Sequence, residues 1–169
     1  DTRQLAGITN LIRTYSMQGP MLDLAERAAD MGVQVLAGAW IGVDPKHDRG
    51  ELSALIRLAQ EQENVTRVLV GNETLLRNSV TPDTLRSHIN LVRVATGKPV
   101  STAEPWHIWL DHPILAATTD FLAVHILPYW EGVPVNQAIP YIDHRLKQLR
   151  EAYPDKPIVL TEVGWPSAG

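Results

Sequence analysis

The sequence predicts an α/β fold in which a parallel sheet curls toward a barrel, and three observations lead there. Six short apolar, β-prone runs alternate with amphipathic stretches, the pattern of parallel strands joined by helical crossovers. Chemically useful side chains follow every run, as they do in a barrel whose βα loops line one face. Neither G-x-G-x-x-G nor G-x-x-x-x-G-K occurs, although an open nucleotide-binding sheet usually carries such a turn after its first strand.

The strand candidates are Gly7–Ser16, Val33–Trp40, Val65–Glu73, Pro99–Glu104, Phe121–Pro128 and Pro157–Val163. Several read as near-continuous hydrophobic runs, as expected of parallel strands covered on both faces. Met21–Met31 carries apolar residues at helical spacing and stops at Gly32, a natural residue just past a helix end. Glu51–Gln62 repeats the pattern. Thr81-Pro82-Asp83 combines a capping hydroxyl, a first-turn proline and an acid near the positive dipole end, and predicts a helix running to Gly97. Val135–Ala152 forms the last long helix. Thr96-Gly97-Lys98-Pro99 and Tyr153-Pro154-Asp155-Lys156-Pro157 each lead into a strand and read as one αβ turn used twice. No linker or low-complexity tract divides the chain, so residues 1–169 are read as a single domain.

Composition narrows the function classes. A hydrophobic content of 44% is enough for a sizeable core. A net charge of -4 without a Lys/Arg cluster gives nucleic acid no footprint. Zero cysteines exclude disulfides, thiolate metal sites and Cys nucleophiles together. No apolar stretch approaches the length of a membrane span. Five Trp against one Phe argue that Trp is more than core filler, because Phe packs without needing a partner for an N–H.

Two glutamates each close an apolar run: Glu73 after Val68-Leu69-Val70-Gly71-Asn72, and Glu162 after Ile158-Val159-Leu160-Thr161. Paired carboxylates suit glycoside hydrolysis, where one acid protonates the leaving oxygen while the other faces an oxocarbenium-like centre. Tyr15, Trp40, Glu104, Trp106, Trp109, His125, Tyr129, Trp130 and Trp165 also lie at or just past strand ends. On one face of a barrel they would join acids to flat aromatic surfaces on which sugar C–H faces stack. The plain alternatives are core-capping indoles and helix-capping or surface glutamates. Asn72 could address a sugar 2-hydroxyl. Glu104 could hold another hydroxyl, tune a neighbouring carboxyl by like charge, or anchor structure. His125, inside a hydrophobic strand, reads as a core residue or as a cleft hydrogen bond. His107, His112 and His125 lack H-E-x-x-H or H-x-H spacing, so no metal ligand and no cofactor is assigned. No G-x-S-x-G elbow marks a serine nucleophile.

Val70-Gly71-Asn72-Glu73 and Thr161-Glu162-Val163-Gly164-Trp165-Pro166-Ser167 together resemble the acid/base and nucleophile segments of glycoside hydrolase family 17, the β-1,3-glucanases and related glucanosyltransferases. Ile12-Arg13-Thr14-Tyr15, Ser101-Thr102-Ala103-Glu104 and Pro128-Tyr129 match in the same order, so the likeness spans nearly the whole chain. The resemblance implies a (β/α)₈ TIM barrel with Glu73 as acid/base after strand four and Glu162 as nucleophile after strand seven. By that count the first and eighth strands are missing from this chain, and the natural domain continues past both ends. The resemblance also implies a retaining reaction through a covalent glucosyl-enzyme, resolved by water or by another sugar. For that reaction the carboxyl groups belong about 5–5.5 Å apart, against roughly 6.5–9.5 Å for inversion.

The segment from Glu104 to Pro113 looks like bacterial relatives associated with membrane-bound β-glucan synthesis. That likeness implies an extracytoplasmic domain, periplasmic or secreted, that binds β-glucan without inserting in the membrane itself, whether or not its parent protein is anchored there; the domain is expected to be monomeric. Two other readings stay open: a noncatalytic carbohydrate-binding barrel, and a metal-dependent barrel hydrolase.

Overall fold

The structure is a computed structural model that describes residue 4 and residues 7–19 and 23–166. Six parallel strands lie side by side in the order of the sequence: β1 (Leu11–Arg13), β2 (Gln34–Ala39), β3 (Val65–Asn72), β4 (Val100–Pro105), β5 (Leu122–Ile126) and β6 (Ile158–Val163). A doubly wound sheet would reverse direction at a switch point. This one never does, and it curls far enough for Arg13 on β1 to donate to the Thr161 carbonyl on β6 at 2.9 Å. The architecture is a partial (β/α) barrel, as the strand-end residues predict.

The helices are α1 (Leu24–Ala29), α2 (Pro45–Glu61), α3 (Pro82–Thr96), α4 (Trp106–Asp111), α5 (Pro113–Thr118) and α6 (Ala138–Ala152), the last preceded by a 3₁₀ turn at Val135–Gln137. α1 is shorter than Met21–Met31; Met21 and Leu22 lie outside the described residues. α2 starts six residues before Glu51 because Asp44 accepts the Lys46 N–H at 2.9 Å and Pro45 occupies the first turn. α3 matches its reading: Thr81 caps Thr84 N–H at 3.2 Å, and Gly97 ends the helix at φ 64.

Alternation along the strands builds two cores. Val35, Ala37, Val68, Val70, Val100, Leu122 and Val124 face outward against buried helix residues such as Leu55, Leu85, Ile89 and Leu149. Leu36, Leu69, Ala103 and Ala123, with Phe121 and partly buried Val159, pack inward. This inner group is the filled interior of a barrel, a packed core rather than a pore. At the opposite end, Lys98 donates to the Gln62 carbonyl at 3.0 Å and also to that of Val65, while Lys156 donates to Thr119. Each lysine therefore closes the αβ connection preceding the neighbouring strand, the physical content of a turn used twice.

Candidate active site

Glu73 stands one residue past β3, on a backbone shaped to present it. Gly71 takes φ 91, and a Cβ there would fall 2.2 Å from Thr74 Oγ1, so only glycine fits. Glu73 itself sits at φ 52, a left-handed conformation that is unfavourable without a glycine. Its N–H donates to the Ala103 carbonyl at 2.7 Å, and its carbonyl accepts the Arg77 N–H at 2.9 Å. Arg77 also donates to the Asn72 carbonyl at 2.8 Å and lies over the Trp40 ring at 4.4 Å. The register between β3 and β4 slips between Leu69 and Asn72, and that between β5 and β6 slips beside His125. Such irregularities re-aim the side chains that follow.

Those side chains converge. His125, 1% exposed, bridges the glutamates: Nδ1 lies 2.9 Å from Glu73 Oε1 and Nε2 lies 3.4 Å from Glu162 Oε1. Arg13 donates to Glu162 Oε1 at 3.3 Å and to Asn72 Oδ1 at 2.5 Å, and its Nη1 is 3.4 Å from His125 Nε2. Burial holds the imidazole below its ordinary range, against the pull of Glu73 and Glu162, so His125 favours its neutral form. Burial also pushes the Tyr15 phenol up, and the Arg13 guanidinium lies 4.2 Å over its ring. One oxygen each of Glu73 and Glu162 and one ring nitrogen of His125 all lie within 4.8 Å of one another. That donor set could hold a metal ion, yet the Arg13 guanidinium already supplies positive charge beside two of the three donors. The set therefore does not fit a resident divalent ion.

The two acids open onto a cleft of about 500 Å³ lined by Leu76, Pro105, His107, Leu127, Trp130 and Glu131. Trp130 is 79% exposed and also borders a second recess of about 240 Å³ with Tyr129, Trp165 and Pro166. Tyr129 meets Trp130 and Trp165 edge to face, with ring centroids 5.4 and 5.5 Å apart. Trp106 is tied down: its Nε1 donates to both Glu131 oxygens at 3.1 Å, and Arg145 covers its ring at 3.9 Å.

Two expected site residues lie elsewhere. Trp109 is fully buried and donates its N–H to the Ala123 carbonyl at 3.1 Å, because α4 turns that face toward the sheet. The five Trp therefore do not share one face. Glu104 is also fully buried and accepts the N–H groups of Leu75 at 2.9 Å and Leu76 at 3.4 Å, so no hydroxyl of a bound sugar reaches it. Conversely, the strand-end pattern does not single out Arg13 and Glu131, which also belong to the site. Arg13 left a signal, a lone charge ending the run Leu11-Ile12. Glu131 left none beyond following two aromatics.

A parallel barrel carrying two facing carboxylates and an exposed aromatic rim at its carboxyl end has the make-up of a carbohydrate-active barrel protein. Residues 1–169 match the family model described as BtgE/BtgC glycoside hydrolase domain, and the chain belongs to that family. The Aspergillus fumigatus protein named "Probable beta-glucosidase btgE" is 30% identical over 170 residues, covering 94% of this chain and 29% of its own length. A glucan 1,3-beta-glucosidase of Schizosaccharomyces pombe is 27% identical, covering 100% of this chain and 59% of its own. Among solved structures, the glycoside hydrolase family 17 beta-1,3-glucanosyltransferase of Rhizomucor miehei superposes with a TM-score of 0.87 at 29% identity, covering 99% of this chain and 64% of that one. An active-site mutant of that enzyme, solved with laminaritriose, superposes equally well at 28% identity. These likenesses support the family 17 assignment.

Proposed function

We propose that the domain cleaves β-1,3-glucan with retention of configuration, Glu162 acting as nucleophile and Glu73 as acid/base. The observation that carries this reading is the short oxygen-to-oxygen approach of the two carboxylates, under 4.8 Å, at the mouth of the cleft. So close an approach favours the shorter carboxyl separation of double displacement over that of inversion. Glu162 attacks the anomeric carbon as the glycosidic C–O bond breaks, with Arg13 placing its charge against the carboxylate. Glu73, held by neutral His125, gives its proton to the departing oxygen. It then takes one back from the acceptor that resolves the glucosyl-enzyme, water for hydrolysis or a sugar hydroxyl for transfer.

Arg13 fixes the Asn72 amide by its oxygen, leaving the NH₂ to donate to the sugar's 2-hydroxyl. Trp130, with Tyr129 and Trp165 behind it, offers an acceptor its stacking surface. Laminaritriose in the Rhizomucor structure supports an oligosaccharide of this class. No helix among the described residues is long and apolar enough to cross a membrane; the reading includes a monomeric domain that works outside the cytoplasm, where a glucan polymer is met.

Glu73→Gln and Glu162→Gln each abolish turnover of a defined laminari-oligosaccharide while the circular dichroism spectrum persists. Full activity in either variant refutes the assignment. Mass analysis of the wild-type products separates the outcomes, since products longer than the substrate require transfer.

A further inference from the structure

Glu104 is a buried carboxylate that the reaction does not use. It lies at the end of β4, fully enclosed, and its carboxylate accepts the main-chain N–H groups of Leu75 and Leu76. Burying a carboxylate is costly unless hydrogen bonds compensate it. Burial pushes this carboxyl up to about 7, with the charge of Glu73 adding to the rise and the backbone N–H groups opposing it. The N–H groups that oppose the rise belong to the turn that begins at Glu73, and the neighbouring Ala103 carbonyl takes the N–H of Glu73 itself at 2.7 Å. β4 thus grips the acid/base turn twice, once through its backbone and once through this side chain.

We propose that Glu104 is a positioning residue for the acid/base: by accepting the N–H groups of Leu75 and Leu76 it fixes the turn that holds Glu73 in its left-handed conformation, aimed at His125 and the cleft. The inference rests on the assignment of Glu73 above. Displacing a general acid by about 1 Å is enough to lose much of its contribution, which is typically 10²–10⁴-fold. Glutamine at position 104 keeps one acceptor oxygen but sets an NH₂ against the second N–H, so the turn loses a partner without losing side-chain volume.

The test compares two donors on the full chain. A laminari-oligosaccharide needs a proton on its leaving oxygen, whereas a 2,4-dinitrophenyl β-laminaribioside does not. In Glu104→Gln, kcat on the oligosaccharide falls roughly 10-fold or more with KM little changed, a fraction of the general-acid contribution. The burst of dinitrophenolate, which reports the first step alone, keeps its rate within about threefold. Equal losses on both donors, or no loss on either, overturn the proposal. Glu73→Gln is the control for the underlying assignment. If it too slows the dinitrophenyl burst, Glu73 is not the acid and the proposal falls with it. If it spares the burst while Glu104→Gln does not, only the role of Glu104 falls. Should Glu104→Gln fail to fold, Glu104→Asp, which keeps the charge but withdraws it by one methylene, is expected to show the same split in smaller measure, and equal losses there overturn it.

Discussion

Glu73 and Trp109 show how differently single residues betray their roles. A charge closing a hydrophobic run stands out, so the positions of Glu73 and Glu162 were legible at strand ends, whereas the roles proposed for them came with the family resemblance. An indole on a short helix is equally at home in a cleft or a core, and only packing decides. Trp109→Ala therefore costs about 3–5 kcal/mol of stability by urea unfolding, the range for a buried aromatic. Trp130→Ala leaves stability within about 0.5 kcal/mol and instead raises KM for oligosaccharides. Glu104 carries a pH signature as well. Its folded pKa, about 7, lies above its ordinary 4.5, so the unfolded chain gives up this proton first. Its contribution is fully present below about pH 4.5 and is lost as pH rises through about 7, on the order of 3 kcal/mol. Glu104→Gln should flatten the fall in unfolding free energy across that window; an unchanged slope contradicts the assignment.

At the scale of elements, helix starts were readable wherever a cap and a proline coincide. Thr81-Pro82 carries that signature and so does Asp44-Pro45, although the apolar pattern by itself points to a start at Glu51. Thr81→Ala and Asp44→Ala should each cost about 1 kcal/mol, measured by thermal unfolding. The two short helices α4 and α5 left little periodicity to find: each has six residues, fewer than two turns. Pro113 opens the second of them, and the orientation of the first is set by burying Trp109. The slips of register beside Asn72 and His125 were also invisible, because they depend on the neighbouring strand rather than on local sequence.

For the whole molecule, strand number, direction and order followed from the alternation of apolar runs and helices, and the sheet's refusal to reverse settled barrel against doubly wound. What sequence alone left open was which charges meet across the curl. Arg13 spans it, joining β1 to Thr161 and Glu162 on β6 and to Asn72 on β3. Lysine cannot reproduce that forked geometry, so Arg13→Lys should lower kcat roughly 100-fold, as a displaced nucleophile does, while laminari-oligosaccharide affinity by calorimetry changes little. The same span has a kinetic meaning. Neighbouring strands in sequence are neighbours in space, so each βα unit can dock on the one before it as soon as it is made. The contact of Arg13 with Glu162 bridges a separation of 149 residues and pays the longest loop closure of the set. Catalytic competence is thus the last property this chain acquires on folding, and recovery of activity after dilution from denaturant should trail the recovery of helical dichroism.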